Sequence, residues 1–251
     1  MGCLFLLGVV SGKGQTGTTY SGGPADVSMG AGTIGLPAVV HFSEKDFEAG
    51  VQNWMITQDS LGILYFANTE GLLTYNGNDW HLFPLPNKTL VRSIHVSSGG
   101  RIFTGGQDEI GYYFPDANGK LGYHSLKSYL PKNQQSFADV WNTGTAQGRI
   151  YFRCTDRIMA IDTALGQRRS VVYPAPSEWL YMACVQDGIL AQDKKQGLLK
   201  YSRGKWTVIA PTAFKDQVIT AILTMGRDRY LITTLKHGVY LLEAGRVTAV
   251  T

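Results

Sequence analysis

Residues 53–83 read NWMITQDSLGILYFANTEGLLTYNGNDWHLF, and this pattern recurs along the chain. Three apolar runs, at 54–56, 63–66 and 72–75, alternate with turn-forming stretches at 59–62 and 68–71. A fourth, weaker run follows Asn76 and Gly77 and carries Trp80, Leu82 and Phe83. Runs this short, rich in aromatics and broken by Gly and Asn, are strands rather than helices. Asn-Gly favours a tight hairpin because both residues tolerate positive φ. The stretch therefore predicts a four-stranded antiparallel meander.

Comparable stretches follow at 91–125, 137–173, 179–209 and 218–250. Aligned on Tyr75, Tyr113, Ile161, Tyr201 and Leu242, the third strands lie 38, 48, 40 and 41 residues apart. That period suits propeller blades and excludes shorter solenoid repeats. A single meander cannot bury both of its faces, so each must pack on a neighbour. An ordinary antiparallel sandwich does not require strands in repeated groups of four. The expected fold class is all-β: a β-propeller of four-stranded antiparallel blades, with about five blades present at 51–83, 91–125, 137–173, 179–209 and 218–250. Five blades fit a closed ring, since rings carry about 4 to 8, and equally an arc of a larger, seven-bladed one.

The 251 residues include only 17% charged side chains and 30 glycines, as many short strands and tight turns require. The net charge of +4 is scattered, with no Lys/Arg run, so nucleic-acid binding by this segment is not expected. Cys3, Cys154 and Cys184 make no disulfide framework; Cys154 and Cys184 are read as buried free thiols, with a bridge between them left as the alternative. His41, His81, His95, His124 and His237 have no metal-ligand spacing, and neither metal nor cofactor is expected.

Residues 1–35 divide from the rest. The run 3–10 resembles the end of an export signal, with a mature start expected between residues 14 and 34. Residues 11–35 are rich in Gly, Ser and Thr and too poor in apolar side chains to fold alone. Residues 36–251 form the propeller domain, and 36–42 read as a short strand that pairs with the outer edge of the last blade.

In a four-stranded meander the second-to-third connection and the start of the first strand share one end. That end gathers Asn53, Trp54, Arg92, Gln107, Trp141, Arg153, Gln192, Asp193 and Lys236, the expected ligand-binding residues. Planar polar groups and aromatic faces suit sugars, and Arg92, Arg153 and Lys236 would favour an acidic or sulfated one. For a single tryptophan the structural alternative is blade-to-blade packing; for a single polar residue it is turn formation. The opposite end holds tight turns such as Asp187-Gly188. Asp139 and Asp193 are conceivable as a carboxylate pair, but Asp in a turn more often caps its own backbone. With no GxSxG, phosphate loop or HExxH, no catalytic residue is assigned.

Blade one, with Gln52-Asn53-Trp54, Gln58-Asp59, Gly71-Leu72-Leu73-Thr74-Tyr75 and Trp80, resembles the two-component-regulator propeller repeat. The likeness extends through Gly105-Gly106-Gln107, Gly111-Tyr112-Tyr113-Phe114, Ala191-Gln192-Asp193 and Leu231-Ile232-Thr233-Thr234, and covers roughly residues 34–250. It implies the periplasmic sensor region of a bacterial hybrid histidine kinase or related regulator, tethered to the inner membrane and binding a small molecule or oligosaccharide. A triple-tyrosine module and a kinase or DNA-binding output would follow in such a receptor, and a homodimer is compatible with it. Two other function classes stay open: a protein-interaction scaffold and a glycan-active enzyme.

Overall fold

The computed structural model describes residues 39–163, 169–211 and 213–250. The expected leader, the stretch 11–35, Cys3 and residues 36–38 lie outside the described residues.

Five four-stranded antiparallel sheets follow one another, each in simple order along the chain. Blade one is β1 (Asn53–Gln58), β2 (Leu64–Asn68), β3 (Gly71–Tyr75) and β4 (Trp80–Phe83). Blade two is β5 (Val91–Val96), β6 (Ile102–Gly106), β7 (Ile110–Pro115) and β8 (Leu121–Ser125). Blade three is β9 (Asn142–Ala146), β10 (Arg149–Arg153), β11 (Arg157–Asp162) and β12 (Ser170–Pro174). Blade four is β13 (Trp179–Val185), β14 (Gly188–Asp193), β15 (Gly197–Ser202) and β16 (Lys205–Ala210). Blade five is β17 (Ile219–Gly226), β18 (Arg229–Thr234), β19 (Gly238–Glu243) and β20 (Arg246–Val250). One short helix, α1 (Glu44–Phe47), precedes the blades, and two single 3₁₀ turns sit in the link between blades two and three.

Register explains why the repeat is visible in the sequence. The pairs Leu64–Tyr75, Ile102–Tyr113, Ile150–Ile161, Ile189–Tyr201 and Tyr230–Leu242 all join second strand to third. Paired residues share a face, so these positions line what we call the first face of each blade. Alternate residues line the second face, which meets the first face of the following blade. Tyr65 and Leu72 pack on Ile94, Ile102 and Tyr113; Phe103 and Ile110 on Ile150 and Ile161; Tyr151 and Ile158 on Met182 and Ile189; Leu190 and Leu198 on Tyr230 and Leu242. All eight second-face residues are buried. Fully burying such a side chain stabilises by about 1.5–3 kcal/mol, so these junctions carry the core.

Polar groups also cross the junctions. Ser93 Oγ donates to Val140 O at 2.8 Å and lies 2.7 Å from Thr143 Oγ1. His95 Nε2 is 2.7 Å from Thr145 Oγ1. At the tight-turn end of the blades, Lys200 Nζ bridges Asp187 at 3.0 Å and Asp228 at 2.6 Å, tying blade four to blade five. Cys154 and Cys184 are free thiols, and burial pushes both up to about 12.

Over its described residues, 39–42, the expected closing strand is not formed. Residues 39–42 carry no strand and are exposed. Phe42 instead sets its ring edge-on against Tyr75 (5.2 Å) and Trp80 (5.3 Å), and Phe47 lies 5.7 Å from Trp80. The cause is local. Asp46 Oδ2 accepts from Ser43 N–H and Ser43 Oγ–H, which starts α1 directly after Phe42. The chain turns there, and its aromatics meet the first face of blade one rather than a strand edge.

His95 yields a pH prediction. Burial holds its imidazole below the ordinary value of 6.5. Its folded-state pKa is depressed, so its contribution is present above the ordinary value and is lost as pH falls through the lowered one. The urea midpoint should therefore decline below pH 6.5, and His95→Gln should flatten that part of the profile while leaving the midpoint at pH 8 nearly unchanged.

Candidate functional site

The ladder between first and second strands breaks at the same place in four blades. Register slips between Asn53 and Met55, Val91 and Ser93, Trp179 and Tyr181, and Ile219 and Ala221. Trp54, Arg92, Leu180 and Thr220 are the displaced residues. In blade three Trp141 holds the equivalent place, directly before β9, with its N–H donating to Arg153 O at 2.8 Å. A bulge re-aims one side chain out of the ladder, so each inner strand offers one residue at this end.

Three of those residues converge. The Arg92 guanidinium lies 3.9 Å from the Trp54 ring centroid and 4.4 Å from that of Trp141. The two indoles are nearly perpendicular, 6.1 Å apart. Arg92 Nη2 pairs with Asp139 Oδ2 at 3.0 Å. Arg92 Nε and Nη1 and Asp139 Oδ1 are buried and find no hydrogen-bond partner among the described residues. The indole faces shield the guanidinium from water, and a desolvated cation–π contact is worth about 2 kcal/mol. Both tryptophans remain 39% exposed. The outcome is a rigid aromatic surface spanning blades one, two and three, with the cation behind it.

The charge of Arg92 is matched by Asp139, and its remaining N–H groups are buried beside the two indoles that its guanidinium bridges. Gln107 is exposed and bridges to Asp139 through its backbone, which places it beside the cluster. Its carbonyl accepts from Asn87 Nδ2 and Thr89 Oγ1. Asn53 precedes Trp54, and its Oδ1 accepts from Asn68 Nδ2 at 2.8 Å.

Arg153, Gln192 and Asp193 are buried and do not face solvent at this end. Arg153 Nε donates to Asn142 Oδ1 and Nη1 to Trp179 O, both at 2.7 Å. Burial pushes its guanidinium down to about 10. Gln192 Nε2 donates to Phe214 O and Gln217 O, and its Oε1 accepts from Ile219 N–H. Both side chains span a blade junction. Asp193 accepts from the N–H groups of Ser177, Glu178, Lys195 and Gln196 and from Ser177 Oγ. Burial raises its carboxyl, but the bonds from Gln196 and Ser177 outweigh that and hold it below the usual range. Lys236 stands exposed in the β18–β19 turn of blade five, outside the Trp54–Arg92–Trp141 cluster.

Sequence reasoning weighed Asp139 as half of a carboxylate pair with Asp193 and did not set it among the ligand-binding residues; the structure makes it the partner of Arg92. Its signal was present: it lies two residues before Trp141, at the end where Arg92 also stands. Among the described residues no group of His, Cys, Asp and Glu is placed to hold a metal ion. Gln192→Leu should strand the Ile219 N–H and lower stability by about 1–3 kcal/mol, read from the denaturant midpoint. Lys236→Ala should move it by less than about 0.5 kcal/mol.

No protein-family model matches the chain, and no curated protein matches it. Solved structures do. The extracellular domain of BT4673 from B. thetaiotaomicron, described as part of a one-component or hybrid two-component system, aligns over 80% of this chain with TM-score 0.61 and 17% identity. The present chain spans only 28% of that extracellular domain's length. Virginiamycin B lyase from Staphylococcus aureus aligns over 83% of this chain and 71% of its own, with TM-score 0.63 and 15% identity. The WD40 β-propeller domain of Doa1 aligns over 79% of this chain and 68% of its own, with TM-score 0.60 and 11% identity. What these proteins share with the chain is fold, and the chain is accordingly a β-propeller of five described four-stranded blades.

Proposed function

We propose that this chain is the ligand-sensing propeller of an exported bacterial signalling receptor, and that its ligand is a carbohydrate fragment stacked on Trp54 and Trp141. The observation that carries this reading is the pair of half-exposed indoles fixed by Arg92. Sugars present apolar C–H faces, and a pre-organised aromatic platform receives them with little loss of side-chain entropy. The likeness to the extracellular domain of BT4673 supports the sensor role and the exported location; the periplasm is the compartment on this reading. Any output would lie in other modules of such a receptor: a triple-tyrosine module with a kinase or DNA-binding domain. Among the described residues no helix is long and apolar enough to cross a membrane.

The ligand is neutral rather than acidic on this reading. Arg92 is balanced by Asp139, and Arg153 is committed to the fold. The likeness to the WD40 domain of Doa1 favours a second reading, a protein-interaction scaffold, with the same aromatic surface as its hot spot.

Tryptophan fluorescence and calorimetry against a panel of neutral and sulfated oligosaccharides separate these readings. A neutral oligosaccharide should bind saturably, and Trp54→Ala or Trp141→Ala should weaken it about tenfold, equivalent to 1.4 kcal/mol. Sulfated sugars should gain nothing over their neutral parents. The absence of saturable binding across the panel, or binding indifferent to both substitutions, overturns the proposal.

A further inference from the structure

Asp139 departs from the usual behaviour of an aspartate beside a turn, which accepts from nearby backbone N–H groups. Asp59 accepts from Leu61 and Ile63 in this way, Asp116 from Asn118 and Lys120, and Asp193 from four N–H groups. Around Asp139 the backbone is held without the side chain. The residue bridges to Gln107, and Val140 N–H donates to Gly106 O at 3.0 Å. Its Oδ2 meets Arg92 Nη2 at 3.0 Å, and its Oδ1 is buried with no hydrogen-bond partner among the described residues. The carboxylate therefore serves Arg92 rather than the turn.

Arg92 has no second counter-charge. The carboxylates in the adjacent β6–β7 and β10–β11 turns are committed elsewhere, Asp108 to Lys127 at 2.7 Å and Asp156 to Arg157 at 2.6 Å. Among the described residues the only ion pair of Arg92 is the one with Asp139. The guanidinium lies 3.9 Å and 4.4 Å from the centroids of the indoles that form the exposed surface. Its Nε and Nη1 groups have no acceptor among the described residues. Such a fork matches the paired oxygens of a carboxylate or sulfate. The Asp139 side chain is 21% exposed, so the anion position it fills opens to solvent.

We propose that Asp139 determines the charge of the ligand: its carboxylate holds the anion position beside Arg92 and so reserves the Trp54–Trp141 surface for neutral sugars. This rests on the carbohydrate reading above. Without the carboxylate, Arg92 is left as an uncompensated and largely covered charge, which favours uptake of an anion from solution. The same exchange turns a neutral-sugar surface into one that prefers an acidic or sulfated sugar.

Substitution at Asp139 tests this, with inorganic sulfate as a probe that needs no sugar. Tryptophan fluorescence is titrated with sulfate at constant ionic strength. The wild-type chain should show no saturable response, Asp139→Asn should acquire one, and the double variant Arg92→Gln/Asp139→Asn should lose it again. With the oligosaccharide panel, the ratio of sulfated to neutral affinity should rise about tenfold in Asp139→Asn, and the gain should shrink as added salt screens the charge. Thermal melts check folding, and Asp139→Ser repeats both arms where Asn lowers the melting temperature. A wild type that binds sulfate as tightly as Asp139→Asn, single variants that bind none, or a response that survives in the double variant overturns the proposal. A wild type that binds no sugar overturns the carbohydrate reading, while the sulfate titration still decides the role of Asp139.

Discussion

A four-stranded sheet has two apolar faces and no means of burying either by itself. Everything else in this chain answers that constraint. Tyr65, Phe103, Tyr151 and Leu190 are buried only because the following blade lies over them. Stability is thus a property of junctions more than of blades, as in other repeat architectures. The polar links across the junctions, from Ser93, Arg153 and Gln192, satisfy backbone carbonyls that neighbouring blades would otherwise leave without partners.

The blades were legible because their physics is local. Each strand is a short apolar run, and each turn is written in Gly, Asn or Asp, so the four-strand group and its period can be read directly. Residues 36–42 show the limit of that approach. An apolar run ahead of an array can pair with a strand edge or cover a sheet face, and composition does not separate the two. The Ser43–Asp46 cap tips the balance here, and Phe42 becomes a lid on Tyr75 and Trp80.

The site was legible in part, for similar reasons. Trp54, Arg92 and Trp141 could be placed at one end of the blades, but their convergence depends on a bulge repeated in successive blades. The burial of Arg153 and Gln192 did leave a trace in the sequence. Each lies two residues beyond a second-face apolar residue, Tyr151 or Leu190, and the strand period puts both on that same buried face. Side-chain type suggested ligand contact, while position within the strand specified a staple between blades.

Two glycines set how closely blade two meets blade three and blade three meets blade four. A Cβ on Gly105 would lie 2.4 Å from Val140 Cγ1, and one on Gly144 would lie 2.8 Å from Cys184 Sγ. Both positions face the next blade, on the narrow side of the wedge each blade forms. A methyl group at either would splay the inner edges while leaving the outer strands where they are, opening the arc to a larger radius. The close approach of blade two to three and of blade three to four therefore depends on the absence of a side chain at each position. The close approach at Gly105 also keeps Trp141 of blade three within reach of the Arg92 guanidinium of blade two.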